Sequence, residues 1–209
     1  HCKFFYPIVE SFVESLIWRK TATITNELID YINEFVIKYE GTHNKFLDTL
    51  LLITSNPKHP FNADFLHKHL MKLSLPDRDA WWTMYIHDKF PYHFGEQSSV
   101  KRLIDWAWSD EEKSHISDES IRLISKTITW FFVSSNRYLR DSATKALIAL
   151  LENRIPILIK ILKEFERVND PYVYERLYAV AYGCALRTED KNNLKSLNEY
   201  IYKTIFKDD

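Results

Sequence analysis

Glycine is scarce in this chain. Only three of the 209 residues are glycine, whereas about 15 would be usual at this length, since glycine makes up roughly 7% of average proteins. Gly41, Gly95 and Gly183 are also far apart in sequence. The glycine-rich loops that hold phosphate groups therefore cannot form, and neither can the G-x-S-x-G turn of many hydrolases. The absence of Asn-Gly and Asp-Gly turns argues against a β-meander.

The chain also has few cysteines, almost no net charge and no long apolar run. The two cysteines, Cys2 and Cys184, lie near opposite ends. We therefore expect a cytoplasmic location and no disulfide framework. The formal net charge is −1, which disfavours nucleic acid and anionic membranes as partners. No apolar run reaches the roughly 18 residues of a membrane span. Because the first residue is His1 rather than methionine, we expect a fragment of a larger protein.

Helical periodicity dominates what is present. Apolar residues recur at spacings of three and four along most of the chain, and polar turns separate these segments. Gly41 is expected to end the helix that precedes it. Pro76, Pro156 and Pro171 suit the first turns of helices, and Ser117 suits an N-cap position. The pattern predicts an all-α protein of about ten helices with short connections and no strand.

Two turn-plus-helix segments are alike at a spacing of about 34 residues. Asn136–Asp141 and Asp170–Glu175 each carry a polar turn, an aromatic residue, an aliphatic residue, a polar residue and an acid. Such a repeat is typical of an α-solenoid of antiparallel helix pairs, although an irregular helical bundle remains the alternative. Gly183, inside the second helix, predicts a close contact between helices, and its neighbour Cys184 is expected to be a buried, unreactive thiol.

The same segments resemble known repeat proteins. Leu139-Arg140, Ala143 and Ala146-Leu147 are similar to the second helix of a HEAT-type repeat, and the run from Pro156 to Leu162 is similar to the first helix of the next one. The strings Arg102–Ser109, Ser134–Leu147 and Asp170–Cys184 resemble the C-terminal helical region of large bacterial STAND-type ATPases, including the antiviral STAND (Avs) group. The resemblance covers roughly residues 76–206, about two thirds of the chain.

This resemblance implies a function. In such proteins the C-terminal helical array is a sensor that binds a phage protein, after which the central ATPase oligomerises. The ATPase motifs are absent here, so the chain is expected to be a non-enzymatic sensor piece without a cofactor. We expect one helical array over residues 1–209, with HEAT-like repeats over 76–209 and no recognisable motif over 1–75. Its expected partners are a protein ligand, such as a phage protein, and other domains of its parent chain.

Two other functions stay open. One is a HEAT-type scaffold in an unrelated assembly, and the other is a small helical hydrolase or nuclease with an unrecognised site. His67 and His69 invite a metal site together with Asp64, but residues two apart on a helix point in nearly opposite directions. The carboxylates of residues 110–112 and 118–119 are explained by loop solubility and the helix dipole. We therefore predict neither a metal site nor a catalytic residue.

Aromatic and basic residues supply the candidate contacts with a partner. The aromatic cluster of residues 81–94 is either core packing or an exposed anchor, and an exposed tryptophan or tyrosine is a common hot spot of protein interfaces. The basic residues after the turn at 134–136 form either a charged ladder between repeats or a phosphate site. The candidate partner-binding residues are Trp81, Trp82, Tyr85, Tyr92, Phe94, Arg137 and Arg140.

Overall fold

The computed structural model describes residues 5–38, 40–90 and 98–206. The described residues form eleven helices and no strand, which confirms the all-α prediction. The candidates Tyr92 and Phe94, together with Gly95, lie outside the described residues. None of the helices in the described part of the chain combines the length and the apolar run that a membrane crossing needs.

The helices are labelled in chain order. Two of them, α2 and α5, contain a π-helical turn, and a 3-10 turn over Trp130–Val133 follows α7. Their bounds are α1 Phe5–Ser15, α2 Asn26–Tyr31 with Ile32–Val36, α3 Glu40–Ile53, α4 Ala63–Leu70, α5 Leu75–Arg78 with Asp79–Thr83 and Met84–Lys89, α6 Ser99–Trp108, α7 Asp118–Thr129, α8 Arg137–Leu151, α9 Ile155–Phe165, α10 Pro171–Ala185 and α11 Lys191–Phe206.

Local sequence explains where these helices begin. The Ser117 hydroxyl accepts a hydrogen bond from the Ser120 amide and caps α7, as the sequence predicts. The Asn136 side chain caps α8, and that of Asp170 caps α10. Prolines lie in the first turns of α5, α9 and α10, where the missing N–H is not needed for the helical hydrogen-bond pattern.

Two series of helix contacts organise the packing. In one, α8 lies between α6 and α10 and contacts both; in the other, α7 contacts α4 and α9, and α9 in turn contacts α11. The inner face of α8 is the apolar stripe that periodicity predicts, and all of its members are fully buried. They are Leu139, Ala143, Ala146, Leu147 and Leu150.

The α8 and α10 helices share one pattern of burial. Both are 15 residues long, and the inner-face residues that lie 34 apart are buried in both helices. Tyr138 and Tyr172 are both exposed at the starts of their helices. The pairs buried at both positions are Leu139 and Val173, Ala143 and Leu177, Ala146 and Val180, Leu147 and Ala181, and Leu150 and Cys184.

Gly183 lies where α10 approaches α8. A Cβ atom at this position would lie 2.9 Å from Cγ1 of Ile148 and closer still to Cδ1, so the predicted close contact is confirmed. The neighbouring Cys184 is fully buried, and burial raises the pKa of its thiol to about 12. The thiol is therefore protonated at neutral pH, in agreement with the expectation of an unreactive cysteine.

Gly41 has a different role from the one that the sequence suggests. We expected it to terminate a helix, but it lies in the first turn of α3. A Cβ atom there would approach the Tyr6 ring to 2.7 Å. The glycine therefore allows α1 and α3 to pack closely, and the expectation of a helix stop is wrong.

Candidate protein-interaction surface

Trp82 and Tyr85 belong to the core. Trp82 is fully buried, donates a hydrogen bond from Nε1 to the Trp130 carbonyl at 2.9 Å and stacks on Phe131. The Tyr85 hydroxyl donates to Asp48 at 2.9 Å, and burial raises the pKa of Tyr85 well above its usual value. Both side chains are therefore corrected from candidate contacts to core residues, because neither is accessible to a partner.

Trp81 is only partly buried and borders a pocket of about 530 Å³. Its ring lies between those of His43 and His69, with centroid distances of 4.8 and 4.4 Å. The Trp81 Nε1 atom and the His43 Nε2 atom have no hydrogen-bond partner among the described residues. The Trp81 Nε1 atom is buried, but part of the ring is exposed beside the pocket, so Trp81 remains a candidate contact. Its divergence from Trp82 follows from their adjacent positions in the π-helical turn.

His67 and His69 lie on different sides of α4. The Nδ1 atom of His67 accepts a hydrogen bond from Trp130 Nε1 at 3.2 Å, and its ring packs on Phe165. His69 instead packs on Trp81. Within the described ranges, no three or more histidine, cysteine, aspartate or glutamate side chains are grouped so that they could hold a metal ion.

Asp64 and the nearby carboxylates belong to a network of ion pairs. Arg122 donates hydrogen bonds to Asp64 at 2.7 Å, to Glu119 at 2.6 Å and to Glu164 at 2.8 Å, and Lys126 pairs with Asp64 and Glu164. Burial would raise the pKa of Asp64, but the hydrogen bonds from Arg122 and Lys126 outweigh it and lower the pKa to about 2. Asp64 is thus ionised at neutral pH, which does not suit a general acid.

The other sequence candidates lie at the edge where α8 and α10 begin. Arg137 has 82% of its side chain exposed, and Tyr138 is 71% exposed. The Arg140 Nη1 atom donates to the Ser134 carbonyl at 2.6 Å, and its guanidinium lies 5.4 Å from the centre of the Tyr172 ring. We call Arg137, Tyr138, Arg140 and Tyr172 the turn-edge surface.

An ion pair connects the two helices beside this surface. Arg176 of α10 donates to the Asp141 carboxylate of α8 at 3.1 Å, and its guanidinium covers the Tyr172 ring at 5.5 Å. Tyr172 therefore contacts two guanidinium groups, since that of Arg140 also lies over it. The geometry is that of a charged ladder between the two helices, in which Asp141 forms the ion pair and Arg140 contributes a cation–π contact.

A groove of about 410 Å³ adjoins the turn-edge surface. Its lining includes Arg140 and Tyr172, but also the carboxylates Asp79 and Asp170 and the apolar side chain of Phe132. Two carboxylates beside one guanidinium repel a phosphate group, so the phosphate interpretation of Arg140 is disfavoured. Mixed charge, exposed aromatic rings and an apolar floor instead suit a protein surface.

Tyr138 and Tyr172 are the surface residues that sequence reasoning did not select. Both occupy the aromatic position of the repeated turn, two residues after the capping Asn136 or Asp170. The repeat contained the signal, because each tyrosine directly precedes the first buried residue of its helix, Leu139 or Val173, and adjacent residues on a helix point about 100° apart.

The buried histidines predict a pH-dependent stability. Burial lowers the pKa of both His43 and His67 to about 4, whereas an unfolded chain titrates near 6.5. Below pH 6.5 the unfolded state therefore binds more protons than the folded state. The contribution of the two neutral histidines to stability is complete above pH 6.5 and is lost as the pH falls toward 4. Urea denaturation should show His43 alone removing about 2–3 kcal/mol between pH 7.5 and 4.5, and His43→Gln should reduce that loss. Equal free energies of unfolding at the two pH values would contradict this.

Comparisons with known proteins found no match. No model of a protein family matches it, and searches of curated proteins and of solved structures also found no match.

Proposed function

We propose that this chain is a non-enzymatic protein-recognition module that binds its partner through the turn-edge surface. The observation that carries the proposal is the exposure of Tyr138 and Arg137 beside a groove of mixed polarity. Tyrosine and arginine are enriched at interface hot spots, where a rigid ring or a planar guanidinium is desolvated by the partner. The arginine contacts of Tyr172 hold part of this surface in place before binding.

The proposal includes a HEAT-like array of antiparallel helix pairs over the C-terminal part of the chain. Three observations support it. The α6, α8 and α10 helices contact one another in series, as do α7, α9 and α11. The α8 and α10 helices share their length and burial pattern. The ion pair between Arg176 and Asp141 connects these helices as a ladder does. Arrays of this kind bind proteins along surfaces built from equivalent positions of successive repeats.

The resemblance to STAND-type ATPases extends the proposal to a biological role. In that role the chain is the sensor piece of a bacterial antiphage protein, the ligand is a phage protein, and the parent chain supplies the ATPase. The proposal includes a cytoplasmic location, which rests on the cysteine content and on the same resemblance.

Binding to a panel of individually expressed phage proteins tests the function. We expect at least one protein to bind saturably, and Arg137→Glu with Tyr138→Ala to weaken that binding about 10-fold or more, as loss of a hot spot does. Lys20→Glu with Trp18→Ala is the matched control, because both side chains are exposed and lie just beyond α1, which packs against α3 rather than α8. The control variant should bind like the unaltered chain.

Two results would contradict the proposal. If none of the phage proteins binds, the sensor role fails. If a protein binds but the control variant weakens binding as much as the turn-edge variant, the turn-edge surface is not the site.

A further inference from the structure

The outward face of α10 carries large apolar side chains that no other described helix covers. Tyr182 is 67% exposed and Leu186, just after the helix, is 68% exposed, and Glu175 and Ala179 are exposed on the same stripe. Positions 175, 179, 182 and 186 are spaced by three or four residues, so they lie along one side of a helix.

The repeat relation between α8 and α10 indicates what this stripe can bind. Of the α8 residues at the equivalent positions, Asp141 and Ile148 contact α10, and Glu152 pairs with Arg187 just after it. The fourth, Lys145, is exposed and lies over the Trp108 ring. Asp141 of α8 accepts the ion pair from Arg176, and Ile148 lies against the backbone of Gly183. About 34 residues later, the equivalents of Asp141 and Ile148 are Glu175 and Tyr182. At positions 175 and 182 the exposed stripe of α10 thus has an acid and a large apolar residue where α8 has the two residues that receive a helix within this chain.

We propose that the stripe of Glu175, Ala179, Tyr182 and Leu186 receives a helix of the partner protein with a defined pattern. That helix carries an arginine or lysine opposite Glu175 and, seven residues later, a glycine or alanine opposite Tyr182. The inference rests on the array proposed above. Two observations select this occupant: continuity with the α8–α10 interface, and the carboxylate of Glu175, for which no ion pair is found among the described residues.

The side chains on the stripe explain the pattern. The carboxylate of Glu175 is exposed, so a cation from the partner gains an ion pair that also fixes the register of the two helices. Tyr182 is larger than Ile148, its equivalent on α8, so the partner helix needs a residue with little or no side chain opposite it. Leu186 extends the apolar contact by another turn. A helix that lacks the cation or carries a bulky residue at the small position should therefore bind poorly.

A peptide with the sequence of residues 171–187 is the probe, because α10 is the helix that covers the equivalent face of α8. The peptide carries serine in place of Cys184 and a staple on the side away from Arg176 and Gly183. Isothermal titration to the whole chain should give saturable binding. Leucine in place of Gly183 in the peptide should abolish it.

Charge exchange makes the test specific. Glu175→Arg in the protein should weaken binding of the peptide about fivefold or more, since attraction becomes repulsion, and a peptide with glutamate in place of Arg176 should restore it. Glu10→Arg, which changes an exposed acid on α1, is the matched control and should leave the affinity unchanged. Because Glu175 and Tyr182 are exposed, these variants should fold.

Three results would overturn the inference. The first is the absence of saturable binding of the peptide, and the second is failure of the charge exchange to restore affinity. The third is occupation of the stripe by a second copy of the chain, which would be seen as a dimer that Tyr182→Glu dissociates. Failure of the peptide test while a phage protein still binds at Tyr138 would remove this inference and leave the proposed function intact. If the peptide binds and no phage protein does, the proposed function alone fails.

Discussion

Replacing Trp82 by alanine is expected to lower the free energy of unfolding by about 3–5 kcal/mol, the usual cost of removing a buried aromatic side chain. Trp82 is fully buried, stacks on Phe131 and donates to the Trp130 carbonyl. Its removal therefore leaves a cavity and an unpaired carbonyl where α5 packs against the turn after α7. Urea denaturation at pH 7.5 measures the loss.

Two further variants make this result interpretable. Trp82→Phe keeps an aromatic ring and should lower the free energy of unfolding less than Trp82→Ala does. It provides a measurable loss of stability even if the alanine variant does not fold. Trp18→Ala removes a tryptophan that is 75% exposed and should change the free energy of unfolding by less than about 0.5 kcal/mol. A loss below about 1 kcal/mol for Trp82→Ala would mean that Trp82 is not a core residue.

Arg122→Leu is expected to lower the free energy of unfolding by a smaller amount, and for a different reason. Arg122 is the common partner of Asp64, Glu119 and Glu164, and only 10% of its side chain is exposed. Without it, Lys126 remains to balance Asp64 and Glu164. Asp64 and Glu119 keep about half of their side chains exposed and Glu164 keeps 28%, so water replaces part of the lost interaction. The expected cost is therefore that of hydrogen bonds to a charged group, about 1–3 kcal/mol. The free energy of unfolding at pH 7.5 is again the measurement.

The matched control for this variant is Arg137→Leu. Arg137 also forms an ion pair, with Asp141, but 82% of its side chain is exposed. An exposed pair of this kind contributes about 0–1 kcal/mol. If Arg122→Leu and Arg137→Leu destabilise the protein equally, the network between α4, α7 and α9 contributes no more than an exposed ion pair.

Features governed by nearby residues could be predicted from the sequence. Helical periodicity, the cap at Ser117 and the first-turn prolines act within a few residues, and the structure agrees with them. The close contact at Gly183 could also be predicted, because a glycine inside a helix needs a packing reason. The role of Gly41 could not be predicted, for a related reason. Glycine suits both a helix end and a close contact, and only the position of Tyr6 distinguishes the two.

The candidate site was less predictable because it depends on which helices meet. Trp81 and Trp82 are adjacent in sequence, yet one borders a pocket and the other lies in the core. Similarly, the role of Arg140 is set by Tyr172 on another helix. The pairing of Arg122 with Asp64 joins residues 58 positions apart. Spacing within one helix contains no information about such contacts.

Photo-crosslinking from position 138 tests the central claim most directly. A benzoylphenylalanine residue replaces Tyr138 in one variant of the full chain and Trp18 in another, and each variant is irradiated with the phage protein selected from the panel. Both positions are highly exposed aromatic residues, so they differ mainly in their place on the fold. We predict a covalent product from position 138 and none from position 18. Equal yields from both positions, or a product only from position 18, would contradict recognition through the turn-edge surface.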